Sequence, residues 1–158
     1  MISFTPSEDQ QMIVNMVKEF VNDHVRKVYR ECDENGDIPS NIIDTAWELG
    51  FIASSIPEEY QGFGGARSAV TGTLIAEELA WGDLSMAMHI LCPALVATPV
   101  VEMGTEEQKK QYLPSFCGDK FKVATAALIE PRFNFDPAEL QTTASPDNGS
   151  YVLNGEKC

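Results

Sequence analysis

Basic residues are scarce in this chain: 11 Lys and Arg stand against 24 Asp and Glu, a formal net charge of −13. Such a field repels phosphate backbones and anionic bilayers, so nucleic-acid binding and membrane-surface binding are not expected. Histidine is scarce too. His24 and His89 lie far apart and no metal-ligand constellation is visible. The four cysteines, Cys32, Cys92, Cys117 and Cys158, are not spaced as a zinc or redox pair. They are read as reduced thiols, which favours a cytoplasmic setting. No apolar run is read as approaching the length of a membrane span. The first residues lack the basic and apolar blocks of a signal peptide.

What is present is a core-forming chain. A hydrophobic fraction of 44% with 22% charged residues in 158 suits a globular fold. Thr5-Pro6-Ser7-Glu8 reads as a helix start, with Thr5 as cap. Met12, Ile13, Met16, Val17, Phe20, Val21, Val25 and Val28 then form one stripe along a long helix ending at Asn35-Gly36. Ser40 is expected to cap a second helix that turns Ile42, Ile43, Ala46, Trp47 and Leu49 inward and closes at Gly50. Residues 56–65 form a glycine-rich loop. It lacks the Lys of a P-loop and follows no strand, so a tight connection is favoured over a phosphate cradle.

A third helix is expected over residues 68–81, and Asp83 can cap a fourth. That fourth segment is apolar nearly all round, and Pro93 and Pro99 should kink or divide it. The stretch 104–118 organises the chain. Thr105 and Gln108 can form a capping box, with Glu106 and Glu107 at the positive end of the helix dipole. Tyr112, Leu113 and Phe116 supply its apolar face, and Gly118 suits a left-handed exit. After it the pattern becomes strand-like: Phe121 to Ile129, Leu140 to Ser145 and Tyr151 to Leu153, the last two flanking the turn Asp147-Asn148-Gly149-Ser150. The fold class is therefore α+β multidomain: an all-α domain over 1–119, then the start of an antiparallel β-domain over 120–158. Three strands with open edges make no stable sheet, so the chain is read as the front of a longer one, or as a subunit completed by another chain.

Several of these stretches, in this order, resemble the acyl-CoA dehydrogenase family. They are Ile56-Pro-Glu-Glu-Tyr-Gln-Gly-Phe-Gly-Gly65, Ala76-Glu-Glu-Leu-Ala80 with Asp83 and Ser85, and Gly104-Thr-Glu-Glu-Gln108 with Tyr112-Leu113-Pro114. Glu130-Pro131 with Asp136 and Tyr151-Val-Leu-Asn-Gly-Glu-Lys157 complete the set. The resemblance implies a helical domain, a β-barrel-like middle domain and a C-terminal bundle. It also implies FAD, a dimer or tetramer (homo- or hetero-oligomer), and a place in fatty acid metabolism. The implied reaction is α,β-dehydrogenation of an acyl-CoA thioester, with electron-transfer flavoprotein as acceptor.

By position in that family, Met88, Leu91, Cys92 and Leu95 are candidates for the acyl-chain wall. Leu128, Ile129, Asn134 and Phe135 are candidates for cofactor binding. The catalytic base lies in the family's C-terminal part, so no catalytic residue is expected here and the 158 residues alone are expected to be inactive. Glu130 is assigned a structural role. The loop departs from the family pattern: Ile129 stands where Thr precedes Glu-Pro, and Arg132-Phe133-Asn134-Phe135-Asp136 replaces a loop closed by Gly-Ser-Asp. Leu128 and Ile129 can still offer backbone groups. For Arg132, a solvated loop residue is favoured over a phosphate donor. The altered loop motivates one alternative, an inactive relative serving as partner subunit; a flavin monooxygenase on the same fold is a further one.

Overall fold

A computed structural model describes residues 5–158, which divide into a helical unit ending at Thr125 and a smaller unit, Ala126–Cys158. In the helical unit, α1 (Glu8–Phe20) is capped by Ser7. The Ser7 hydroxyl accepts from the Gln10 N–H, and the Gln10 side chain accepts from the Ser7 N–H. The cap is thus Ser7 and not Thr5: α1 begins at Glu8, and the reciprocal pair is Ser7 with Gln10. Val14, Val17, Phe20, Val21 and Val25 fill the buried stripe, and Met12 and Met16 lie outside it. The expected long helix is interrupted by a wide π-type turn over Val21–Val25, after which α2 (Tyr29–Asn35) ends at Gly36 with φ +66°.

Helix α3 (Ser40–Glu48) has Pro39, not Ser40, at its cap position, and buries Ile42, Ile43, Ala46 and Trp47. The glycine-rich loop folds back on the segment before it. Phe63, Gly64 and Gly65 donate their N–H groups to the carbonyls of Ala53, Ile56 and Ser54, each at 2.9 Å. Those amides are spent on the loop itself and cradle no anion. Helix α4 (Ala69–Gly82) is capped by Ser68 and packs its last residue against α1's continuation. A Cβ at Gly82 would collide with Val21 and Val25, so the close approach requires glycine. Asp83 then caps α5 (Leu84–Leu91), accepting from the Met86 N–H at 2.8 Å.

Pro93 separates α5 from α6 (Ala94–Met103), whereas Pro99 is accommodated inside α6. The 20 residues Leu84–Met103 are long and apolar enough, by length and composition alone, to cross a membrane, which corrects the reading that no run comes close. Met86, Ala87, Ile90 and Ala97 of this segment are buried in the helical unit.

Helix α7 (Glu106–Tyr112) carries the full capping box of Thr105 and Gln108. A 3-10 turn, Leu113–Phe116, sinks Leu113 and Phe116 into a cluster with Trp47, Ile52, Ile56, Tyr60 and Ala97. Tyr112, expected inward, is exposed. Gly118 does not adopt the left-handed exit. The tight turn has already stopped the helix, and the Gly118 carbonyl instead accepts from the Trp47 indole N–H at 2.6 Å. The Tyr60 hydroxyl donates to Glu106 at 2.7 Å, a bond that holds the phenol above its ordinary range and the carboxyl below its own.

The smaller unit holds one hairpin. Strands β1 (Thr143–Asp147) and β2 (Ser150–Asn154) pair antiparallel, from Thr143 with Asn154 to Asp147 with Ser150. Asn148 and Gly149 both have positive φ, 46° and 83°, as a two-residue hairpin turn demands. The strand expected over 121–129 is not one: it has no ladder partner among the described residues, and Phe121 and Ala124 pack with the helical unit instead. Around the hairpin's base, the Glu130 carboxylate is nearly sealed from solvent, 4% exposed. It accepts from the Gln141 N–H, the Thr142 N–H and hydroxyl, and the Lys157 ammonium, at 2.8–3.0 Å. The Gln141 amide first, and then the Thr142 amide, hold its carboxyl down to about 2.

Two outcomes follow. Leu113→Ala should destabilise the helical unit by about 2–5 kcal/mol in chemical denaturation, while Tyr112→Ala stays within about 0.5 kcal/mol. A folded-state carboxyl held low stabilises above its unfolded value near 4.5, and that stability is lost as pH falls through about 2. The Gln141 and Thr142 amide resonances should therefore collapse across that window, and a Glu130→Gln variant should lose this acid dependence.

Candidate functional site

The four wall candidates share one helical stripe, since 88, 91, 92 and 95 step by three and four residues. A tight i to i−3 bond joins the two helices across Pro93, from the Leu95 N–H to the Cys92 carbonyl at 3.0 Å. The burial of the four differs. Met88 is 60% exposed and Leu95 is 51% exposed, while Leu91 and Cys92 are half-buried. Leu91 packs on the core cluster of Val17, Phe20 and Ile90, so it is partly ordinary core. Met88 and Leu95 therefore present the open apolar surface. His89, between them in sequence, stacks on Phe121 at 5.2 Å. A cleft of about 280 Å³ lies elsewhere in the helical unit, lined by Trp47, Ile52, Phe63 and Phe116 among others and by none of the four.

In the smaller unit, the cofactor candidates sit on an extended segment and the loop after it. The Leu128 carbonyl accepts from the Lys157 ammonium at 3.1 Å, and the Ile129 carbonyl accepts from the Cys158 N–H at 2.9 Å. Each of these backbone acceptors therefore already takes one internal hydrogen bond and keeps one lone pair. The N–H groups of Leu128 and Ile129 have no acceptor among the described residues. Both side chains are about half exposed, and Ile129 brings no hydroxyl. Asn134 turns the loop with φ +57°, a conformation that Asn tolerates better than most residues.

Arg132 is not the solvated loop residue favoured from sequence. Its guanidinium donates to the carbonyls of Asp136 and Glu139 and lies 5.9 Å from the centre of the Phe135 ring. Its Nε is buried and faces Glu130 Oε2 at 3.6 Å, beyond hydrogen-bond reach. Arg132 thus clasps the 132–139 loop, and its charge is engaged there and not presented to a phosphate. Phe135 is half-buried under that clasp, whereas Phe133 is almost fully exposed. Sequence reading did not find Lys157. It is 27 residues from Glu130, and no local pattern marks the pair. Among the described residues no group of His, Cys, Asp and Glu is placed to hold a metal ion, and all four cysteines are free.

The chain is similar to known proteins along nearly its whole length. The chain is 31% identical over 159 residues to the probable acyl-CoA dehydrogenase YngJ of Bacillus subtilis, covering 99% of this chain and 41% of that protein. Its fold superposes on butyryl-CoA dehydrogenase from Megasphaera elsdenii with a TM-score of 0.81 and 29% identity, covering 98% of this chain and 40% of the other. An acyl-CoA dehydrogenase from Bacillus anthracis, solved in complex with FAD, gives a TM-score of 0.75 and 33% identity over 98% of this chain and 27% of its own. The chain therefore spans about 40% or less of the length of these relatives. The family model for the N-terminal domain of acyl-CoA dehydrogenase matches residues 7–120, and the chain belongs to the acyl-CoA dehydrogenase family.

Proposed function

We propose that these residues form part of an FAD-dependent acyl-CoA dehydrogenase, which removes hydrogen from the α and β carbons of an acyl-CoA thioester. The observation that most supports this reading is the likeness to butyryl-CoA dehydrogenase over 98% of the chain. Met88 and Leu95, flanked by Cys92 and Leu91, would line the acyl chain, because an exposed apolar stripe on a helix excludes water from a hydrocarbon. The free N–H groups of Leu128 and Ile129 fit the acceptor-bearing rim of a flavin ring. Asn134 and Phe135 lie on the loop that follows. When bound, FAD supplies the hydride acceptor.

None of the described residues is assigned as the base that takes the α-proton. Glu130 is unsuited to it. Four donors already fill its carboxylate, and a carboxyl held down to about 2 has little affinity for a proton. Electron-transfer flavoprotein as acceptor, an oligomeric assembly and a cytoplasmic setting belong to the same proposal.

One observation favours a second reading. Ile129 offers no hydroxyl where the family pattern carries Thr, and in this reading the chain serves as a non-catalytic partner of an active relative. The two readings part in one experiment. Full-length protein purified from cells should carry a flavin absorbance that acyl-CoA bleaches under anaerobic conditions; colourless protein that forms a stoichiometric complex with an active relative would support the second. Met88→Trp should shift kcat/KM toward shorter acyl chains, each excluded methylene being worth about 1–3 kcal/mol.

A further inference from the structure

Two features of the smaller unit bear on how its extended segment is held. The carbonyls of Leu128 and Ile129 are both occupied, by Lys157 and Cys158, while the two N–H groups beside them are not. One ammonium also makes two bonds at once: Lys157 donates to the Leu128 carbonyl at 3.1 Å and to the nearly sealed Glu130 carboxylate at 3.0 Å. A Lys shared between a carbonyl and a buried carboxylate fixes the spacing of the two, because each bond is charge-assisted and neither partner can be vacated without exposing an unpaired group. Glu130 is in turn held by the Gln141 and Thr142 amides at the base of the hairpin.

We propose that Lys157 is a positioning residue: it locks the Leu128–Glu130 backbone to the hairpin and so holds the free Leu128 and Ile129 N–H groups in place for a ligand's acceptors. The rest of the geometry agrees. The two N–H groups can donate to the acceptors of a ligand, such as ring carbonyls or imine nitrogens. Arg132 is excluded from the same role because its guanidinium is committed to the Asp136 and Glu139 carbonyls. The acceptor-edge ligand is the flavin only if the function proposed above holds; the lock itself does not depend on it.

Amide hydrogen exchange on the full-length protein, followed with and without added FAD, tests both parts separately. In Lys157→Met, the Gln141, Thr142 and Cys158 amides should exchange about tenfold faster, the loss expected for one charge-assisted bond, while amides of α1 and α4 are unchanged. Lys157→Arg, which can donate to both oxygens, should restore most of the protection. In the wild type, FAD should slow exchange of the Leu128 and Ile129 amides, and in Lys157→Met that response should weaken by about tenfold in affinity. Unchanged exchange in Lys157→Met, or an Arg variant no better than Met, overturns the lock. Faster exchange with an undiminished FAD response overturns the positioning role. Faster exchange together with wild-type Leu128 and Ile129 amides that ignore FAD upholds the lock and retires the flavin reading.

Discussion

A carboxylate taken out of water must be surrounded by donors or give up its charge. The non-helical part of this protein is arranged around that requirement at Glu130. Two backbone amides, a hydroxyl and an ammonium converge on its two oxygens, from the adjacent Gln141 and Thr142 and from Lys157. Without the carboxylate, the hairpin base, the segment before Pro131 and residue 157 would have no common anchor, because the hairpin itself is fully exposed on both strands. A two-stranded hairpin is marginal in water on its own. Here a buried polar network supplies what an apolar core supplies elsewhere.

The helical unit meets the usual requirement in the usual way, by sealing apolar side chains. Its two clusters divide the labour. One joins α1 and α3 to α5, and the other gathers Trp47, Tyr60, Leu113 and Phe116 where the helices end. Two polar bonds close the second cluster: the Trp47 indole on the Gly118 carbonyl and the Tyr60 hydroxyl on Glu106. Both large amphipathic rings bury their bodies and find a partner for the polar tip. With the core formed from one side of α5 and α6, Met88 and Leu95 remain outward as an apolar surface. That division, more than the identity of any one residue, makes this face a candidate for a hydrocarbon ligand.

Much of the architecture was legible in the residues because its signals are local. The capping boxes act over three residues, and Thr105 with Gln108 is found as expected. Asp83 caps α5, Pro93 divides the apolar segment, and Asn148-Gly149 turns the hairpin. The misreadings have local causes as well. Thr5 and Ser40 have the chemistry of caps, but the neighbouring Ser7 and Pro39 occupy those positions. Gly118 looked like a left-handed stop, yet a 3-10 turn had already ended the helix. The 121–129 stretch has strand-like composition, but a strand exists only through its partner. Leu84–Met103 has the length and apolar composition of a membrane span, although Pro93 divides it into two helices.

Sequence alone determined the helical order, the turn chemistry and the acidic surface, since each depends on residues within a few positions of one another. Tertiary structure alone decided which groups are left free to act. The Trp47–Gly118 bond spans 71 residues and the Lys157–Glu130 bond spans 27, and no periodicity encodes either. The same long-range packing commits Arg132 to its own loop, engages the Leu128 and Ile129 carbonyls, and leaves their amides available. Hydrogen-bond satisfaction is a property of the folded surroundings of a group, so it cannot be read from the residue that carries it.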